Sequence, residues 1–556
     1  MAKLFRNNHK LLQCLQKKQI ILYGRNNSTA SDEFVELDEK TLTGRFLMYM
    51  SNFVSKNTKE KYCVPKINYN TIKNIRYDAE QIKSSIKLLD ISQDTLLFKE
   101  IDKECHDRVK YLKTSDILEI LHIYMKKVPN KIVSYEFYES AIKELSKRLQ
   151  SLDKNGIIQL IFYIGLRKKM SREHELLRKC VNQLLQYNSL SNEDLCIICN
   201  TVFKTTTRIK TDHLYSKIIS NIYDNLQLFK DPAFFVTFLK TIRQNRYQDD
   251  EFLNTMTCTI FFNKTLDYYS FSALGHILAV YSDYLYYDEN ILRVFTERCV
   301  ELLKETKFVS SKDHMSSNIR LKDIKRFLWC ISNLNYKLSV DDIKSVIVPK
   351  IYERIRGGDV EVDYCSLVEI CLYLWMLKYR AYELLPYFLT KENIERINNL
   401  TTPLKQRLNV LLSCIYYEDR ELLKDLDVQP SHLPYNMENQ LEKRPFLTTV
   451  VTSLNKNEDI PLRTRVSKLE TSCQIPGIHI IGITGYNDKT GIHIEVLDEY
   501  TTLKNTEYVP TGLMQLKLRL LEHLEEGLIT IEAEDLKSLN EFEIKKILFE
   551  EIEFVS

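Results

Sequence analysis

The stretch Asp231-Pro232-Ala233-Phe234-Phe235-Val236-Thr237-Phe238-Leu239-Lys240-Thr241-Ile242 decides the fold. Its apolar residues Phe235, Phe238, Leu239 and Ile242 stand at i, i+3, i+4 and i+7, which places them on one stripe of an α-helix. Asp231 can accept from orphan amides at the helix start, and Pro232 suits the first helical position, where no amide hydrogen is needed. The same stripe recurs upstream as Ile117, Ile120, Leu121, Tyr124, then Ile157, Leu160, Ile161, Ile164, then Leu195, Ile198, Cys199, Val202. Downstream it returns as Leu274, Ile277, Leu278, Tyr281; Ile324, Phe327, Leu328, Ile331; Leu367, Ile370, Cys371, Leu374; and Leu408, Leu411, Leu412, Ile415. The starts lie 40, 38, 40, 39, 50, 43 and 41 residues apart. An interval of that size holds two helices and two turns, and neither helix buries its stripe alone, so neighbours must stack. The expected fold is mostly α, an α-solenoid of roughly eight helical pairs.

Composition agrees with helix. Gly (13) and Pro (12) are scarce in 556 residues, each well below the usual ~7% and ~5%. The most apolar stretch, Leu367 to Leu377, is broken by Glu369, so no membrane span is expected. Thirteen cysteines, an odd number scattered through helical patterns, fit free thiols in a reducing compartment. The single CxxC, Cys196 and Cys199, has no second pair at ligand spacing, so it reads as a helix face and no metal or other cofactor is expected.

Residues 1–31 carry Lys3, Arg6, Lys10, Lys17, Lys18 and Arg25 and no acid, with Leu11, Leu12, Leu15, Ile20 and Leu22 interleaved. That is the composition of a mitochondrial transit peptide. Without it the remainder has a net charge of −3, so any binding to a polyanion must come from a local basic strip.

Such a strip is legible just after successive stripes: Lys126 and Lys127, then Arg167, Lys168 and Lys169, then Lys204 and Arg208, then Arg243 and Arg246, and later Lys378 and Arg380. Stacking would line these residues along one edge as a track for a phosphate backbone. Lys and Arg near helix C-termini also complement the macrodipole in proteins that bind nothing, and the sequence leaves both readings open. The stripe from Leu274 is followed instead by Tyr284, Tyr286 and Tyr287, which read as packing residues before stacking platforms.

The chain changes character past residue 425. Pro430, Pro434, Pro445 and Pro461 fall within 32 residues, so 426–475 reads as a linker. Alternating segments follow: Ile478-His479-Ile480-Ile481-Gly482-Ile483 and Ile492-His493-Ile494-Glu495-Val496 read as strands joined through Tyr486-Asn487-Asp488, and Leu528-Ile529-Thr530-Ile531 as another. Leu513 to Glu525 and Asn540 to Glu551 have helical period, making 476–556 a small α/β domain.

Within that domain, Gly491-Ile492-His493-Ile494-Glu495-Val496, Pro510-Thr511-Gly512-Leu513-Met514-Gln515-Leu516-Lys517-Leu518-Arg519-Leu520-Leu521-Glu522 and Gly527-Leu528-Ile529-Thr530-Ile531 resemble a divergent RAP domain. Upstream, Leu321-Lys322-Asp323-Ile324-Lys325-Arg326-Phe327-Leu328-Trp329-Cys330-Ile331-Ser332-Asn333-Leu334-Asn335-Tyr336 is similar to the first signature block of the FAST kinase domain-containing proteins. FAST-like blocks then occupy about 318–390 and 395–425 of a helical region spanning 32–425. The chain departs from the RAP pattern at Leu497-Asp498, where Asp-Gly would stand, and lacks a Trp near Asp535-Leu536. The resemblance implies a mitochondrial matrix protein that binds mitochondrial RNA and acts in transcript processing, stability or translation, with RNA-processing or ribosome-assembly proteins as further partners. It also implies a restriction-endonuclease-like fold for the terminal domain.

Kinase chemistry finds no support, since GxGxxG, GxxxxGK[ST] and an HRD…DFG set are all missing from the sequence. An endoribonuclease is the sharper alternative: Glu495 and Glu532 are the carboxylates that could hold Mg²⁺, with Lys517 near the attacked phosphate. The acid-x-Lys spacing of such sites is absent, because Val496-Leu497 follow Glu495 and Ala533-Glu534 follow Glu532. Lys517 and Arg519 are therefore expected to contact RNA phosphates or to sit on a solvated face, and the chain to be non-catalytic. The remaining alternative is a matrix scaffold or assembly factor that binds proteins and no RNA.

Overall fold

The computed structural model describes residues 41–54, 79–89, 95–167, 174–262, 265–306, 319–357, 360–399, 402–424, 426, 428–455, 466–487, 491–524 and 526–555. The transit-like segment 1–31 and the cations Lys168 and Lys169 lie outside them. The chain is mostly helical with a small four-stranded sheet near its C-terminus. It divides into two compact units, one within Tyr23–Thr259 and one within Ile260–Ser556. Among the described residues no helix is long and apolar enough to cross a membrane.

In the first unit α1 (Leu42–Ser51), α2 (Ala79–Leu88) and α3 (Thr95–Arg108) lead into α4 (Thr114–Lys127) and α5 (Glu136–Lys147). Then come α6 (Lys154–Ile164), α7 (His174–Leu184), α8 (Asn192–Lys204), α9 (Asp212–Asp224), α10 (Pro232–Asn245) and α11 (Asp250–Phe262). The stripes fall on α4, α6, α8 and α10, which pack side by side in that order. Hydrogen bonds show how they align. Thr201 Oγ1 donates to Ile161 O (3.1 Å) and Thr241 Oγ1 to Cys199 O (2.9 Å), each from the sixth residue after one stripe start to the fourth after the previous one. Lys154 pairs with Asp194 near the starts of α6 and α8 (2.7 Å), and Gln244 Nε2 donates to Val202 O (3.1 Å) one turn beyond the Thr241 bond, so the contacts advance together along both helices of each pair and the helices run parallel. Asp231 caps α10 as its sequence suggests, and Ser191 and Asp194 form a reciprocal capping box on α8. Helix α4 starts after Lys113 with no side-chain cap.

Helix α1 lies across these four. Phe46 packs on Phe162 and Phe234, Arg45 pairs with Asp231, Tyr49 OH donates to Asp194 (2.9 Å), and Ser51 meets His122. The stripe helices are thus covered on two sides, which is why their burial extends well beyond the stripe.

In the second unit α12 (Phe271–Tyr284), α14 (Leu321–Asn333), α16 (Val360–Met376) and α18 (Thr402–Glu418) carry the stripes and pack consecutively. Interspersed are α13 (Glu289–Glu305), α15 (Val348–Arg356) and α17 (Lys391–Asn398). No stripe residue in either unit is more than 3% exposed. Glu369 on α16, the acid that interrupts the most apolar stretch, accepts from Lys325 on α14 (2.5 Å) and from Arg407 on α18, tying three helices together.

Within 426–475, expected as a linker, the described residues form regular elements. These are α19 (Met437–Glu442), α20 (Pro445–Asn455) and β1 (Val466–Ser472). Pro445 opens a helix there and does not break one. Beyond it lie β2 (Gly482–Asn487), β3 (Gly491–Leu497), α21 (Gly512–Glu522), β4 (Gly527–Glu532) and α22 (Glu541–Val555). The sheet order is β1-β2-β3-β4, antiparallel except for the β3–β4 pair that α21 connects. One face, Ile492, Ile494, Val496, Ile529 and Ile531, forms a core with Leu447 and Val450 of α20 and Ile544, Leu548 and Ile552 of α22. Helix α21 packs on α14, α16 and α18, so the sheet domain and the helices from 260 onward belong to one unit. Two glycines allow that approach: a Cβ on Gly512 would lie 1.6 Å from Ser332 O, and one on Gly477, at φ +82°, 2.6 Å from Val410 N.

Candidate functional site

Period-2 geometry puts His493 and Glu495 on the face of β3 opposite Ile492, Ile494 and Val496. That face is not half-solvated. Every residue of β3 is buried, because α21 covers it and directs Lys517 onto Glu495. Both side chains are fully buried. Glu495 Oε1 accepts from Lys517 Nζ and from Gln474 Nε2 (2.8 Å). Gly482 makes room for that carboxylate, since a Cβ there would stand 2.1 Å from Oε1. Glu495 Oε2 and Gln474 Oε1 have no hydrogen-bond partner among the described residues. Burial pushes the Lys517 ammonium below its ordinary range, with Glu495 pulling the other way.

Beside the pair, His493 Nε2 lies 2.7 Å from Glu526 Oε2, off a good hydrogen-bonding line, and its Nδ1 is 3.4 Å from Thr484 Oγ1. Burial lowers the His493 pKa and Glu526 counters it. Arg444, which no sequence pattern singled out, is fully buried and donates to Asp498 Oδ2 (2.7 Å), Ile481 O (2.6 Å) and Val496 O (2.7 Å). Asp498, just past the end of β3, is held in place by this partner.

Of the three weak catalytic candidates, the structure joins Glu495 and Lys517 and leaves Glu532 apart, exposed at the end of β4 in register with Leu497. A carboxylate with no exposure and an ammonium on one oxygen holds β3 to α21. It could ligate Mg²⁺ shared with a phosphodiester only by leaving that pair.

The expected RNA contacts at Lys517 and Arg519 are corrected in the same way. Lys517 faces Glu495 and not solvent. Arg519, with a side chain 15% exposed, donates to Glu418 Oε1 (2.7 Å) and to Trp375 O (2.9 Å). Glu418 also accepts from Trp375 Nε1 (2.5 Å), so Arg519 is spent fastening α21 to α16 and α18.

The other basic residues sit at the C-terminal ends of the parallel helices α4, α6, α8 and α10. Lys126 and Arg246 are exposed, with no hydrogen-bond or ion-pair partner for their side chains among the described residues. Arg208, just past α8, is the same. Lys127 donates to Leu89 O (3.1 Å), Arg167 pairs with Glu139 over the Tyr138 ring, and Lys204 and Arg243 are half-buried and engaged. Helix α1 contacts α8 and α10 at their other ends, through Ser191, Asp194 and Asp231. Cys196 and Cys199 are both buried, and burial raises both thiols well above their ordinary pKa. Compared with known proteins, the chain matches no family model and no curated protein at a significant level of similarity.

Proposed function

We propose that the chain is a mitochondrial RNA-binding protein of the FAST kinase domain-containing family. On this reading it is an α-solenoid with a RAP-like C-terminal domain, working without catalysis in the processing, stability or translation of mitochondrial transcripts in the matrix. The observation that supports it is the set of exposed, unpartnered cations Lys126, Arg208 and Arg246 at one end of parallel helices in the first unit. A polyanion is positioned by its phosphates on such an edge, without base readout. Helix α1 engages the opposite ends of α8 and α10, so the strand would follow the C-terminal edge. The buried Glu495–Lys517 pair favours a structural role for the terminal domain over cleavage.

Crosslinking in cells followed by sequencing of bound RNA tests the reading. The intact protein should recover mitochondrial transcripts, and a variant with Lys126, Arg208 and Arg246 reversed to Glu, shown to be folded by circular dichroism, should not. Stable protein partners with no crosslinked RNA would defeat it and leave a scaffold.

A further inference from the structure

Five of the eight stripe helices end in one way. The residue eleven positions after the stripe start, which is Thr206, Arg246, Leu285, Asn335 or Lys378, has φ between 50° and 64°. Its amide donates to the carbonyl three residues back. The next amide reaches the last stripe residue, Thr207 to Val202, Tyr247 to Ile242, Tyr286 to Tyr281, Tyr336 to Ile331 and Tyr379 to Leu374, at 2.9–3.3 Å. This paired closure is usually completed by glycine, because a Cβ is disfavoured in the left-handed region. None of the five is glycine.

A non-glycine residue in the left-handed region carries backbone strain, and such residues cluster at ligand-binding and other functional sites. Asn335 tolerates the conformation and donates to Pro510 O (3.2 Å). Arg246 and Lys378 have no such account: both are exposed, and neither side chain has a hydrogen bond or ion pair among the described residues. Complementing the helix end does not explain Arg246, because α10 already carries Arg243 in its last turn in unstrained geometry. The following tyrosines are held, Tyr247 stacked on Tyr215 at 4.8 Å and Tyr379 OH donating to Glu383 (2.7 Å), so each cation projects from a fixed backbone.

We infer that Arg246 and Lys378 are phosphodiester contacts for single-stranded RNA, one in each unit, kept in a strained position because glycine could not bind. The inference rests on the RNA reading above. It is tested on the purified full chain by thermal unfolding, and by anisotropy of a short unstructured RNA over a range of KCl concentrations. Arg246→Gly and Lys378→Gly should each raise the melting midpoint by about 2 °C. Each should also weaken RNA binding and lower the slope of log affinity against log salt by about 0.7. Thr206→Gly, which relieves the same strain without removing a cation, should raise the midpoint and bind RNA as the wild type does. Unchanged affinity and slope in the Arg246→Gly, Lys378→Gly double variant would overturn this inference alone, and so would a lowered midpoint. A wild-type chain that binds no RNA would overturn both this inference and the reading beneath it.

Discussion

Replacing Lys517 by methionine strips the ammonium from a carboxylate that has no other cation against it among the described residues. Glu495 would keep one donor, Gln474 Nε2, while Oε2 already lacks a partner and Gly482 leaves no side chain to fill the gap. Breaking one side of a buried pair costs about 3–5 kcal/mol. Converting both residues, Glu495→Met with Lys517→Met, removes the desolvation cost together with the attraction. The double variant should therefore lie within about 1 kcal/mol of the wild type or above it. Urea unfolding followed by tryptophan fluorescence reads this directly, because the only two tryptophans, Trp329 and Trp375, lie on α14 and α16 beneath α21. With a slope of about 3 kcal/mol per M, the single variant's midpoint should fall by about 1–1.7 M. A single variant that loses less than about 1 kcal/mol, or a double variant as unstable as the single, would refute the account of this pair as a buried tie.

Gly512→Ala should cost the second unit about 3 kcal/mol, seen in the same fluorescence transition, because its Cβ would meet Ser332 O at 1.6 Å. Phe46→Ala, in α1, should destabilise the first unit by about 3–4 kcal/mol in hydrogen exchange of α4 to α10. The tryptophan transition of the second unit should stay in place, and a shift of equal size would contradict the division into two units. Burial, with help from Lys126 and Lys87, holds the His122 pKa down to about 4. The unfolded chain therefore binds the proton more readily, and the first unit should lose up to about 3 kcal/mol as pH falls from 6.5 through 4. His122→Gln should flatten that dependence in exchange measurements at pH 7 and pH 5, and an unchanged slope would assign it to other groups.

The stripes were legible because each helix is buried along the face that an i, i+3, i+4, i+7 pattern defines, and none of their residues is more than 3% exposed. The helix endings were not. A left-handed closing residue is normally announced by glycine, and here the position holds Thr, Arg, Leu, Asn or Lys. Helix α20 was hidden by prolines that read as linker, and β1 by Lys468 and Glu470, which break any alternation of apolar residues. The shared face of His493 and Glu495 followed from period 2 alone. Its burial on both sides did not, because the covering residue is a lysine, and Lys517 in an amphipathic helix reads as solvated until its partner 22 residues away is known. Arg519 misleads and Arg444 goes unnoticed for the same reason, since their carboxylate partners Glu418 and Asp498 are 101 and 54 residues distant.

The seat of α1 sets an order of events during synthesis. Arg45 and Asp231 are 186 residues apart, so at ribosomal speeds of about 5–20 residues per second the helix waits roughly 10 to 40 s for the far end of its groove to be made. A ten-residue helix does not persist alone in water over such a time. Through that delay Phe46, Leu47 and Met50 have no cover of their own, and neither do Phe162 and the faces of α4 and α6 turned toward them. A holding factor that recognises extended apolar chain has a target in Leu42–Ser51 until α10 is made, and the docking of that helix is the step that completes the first unit.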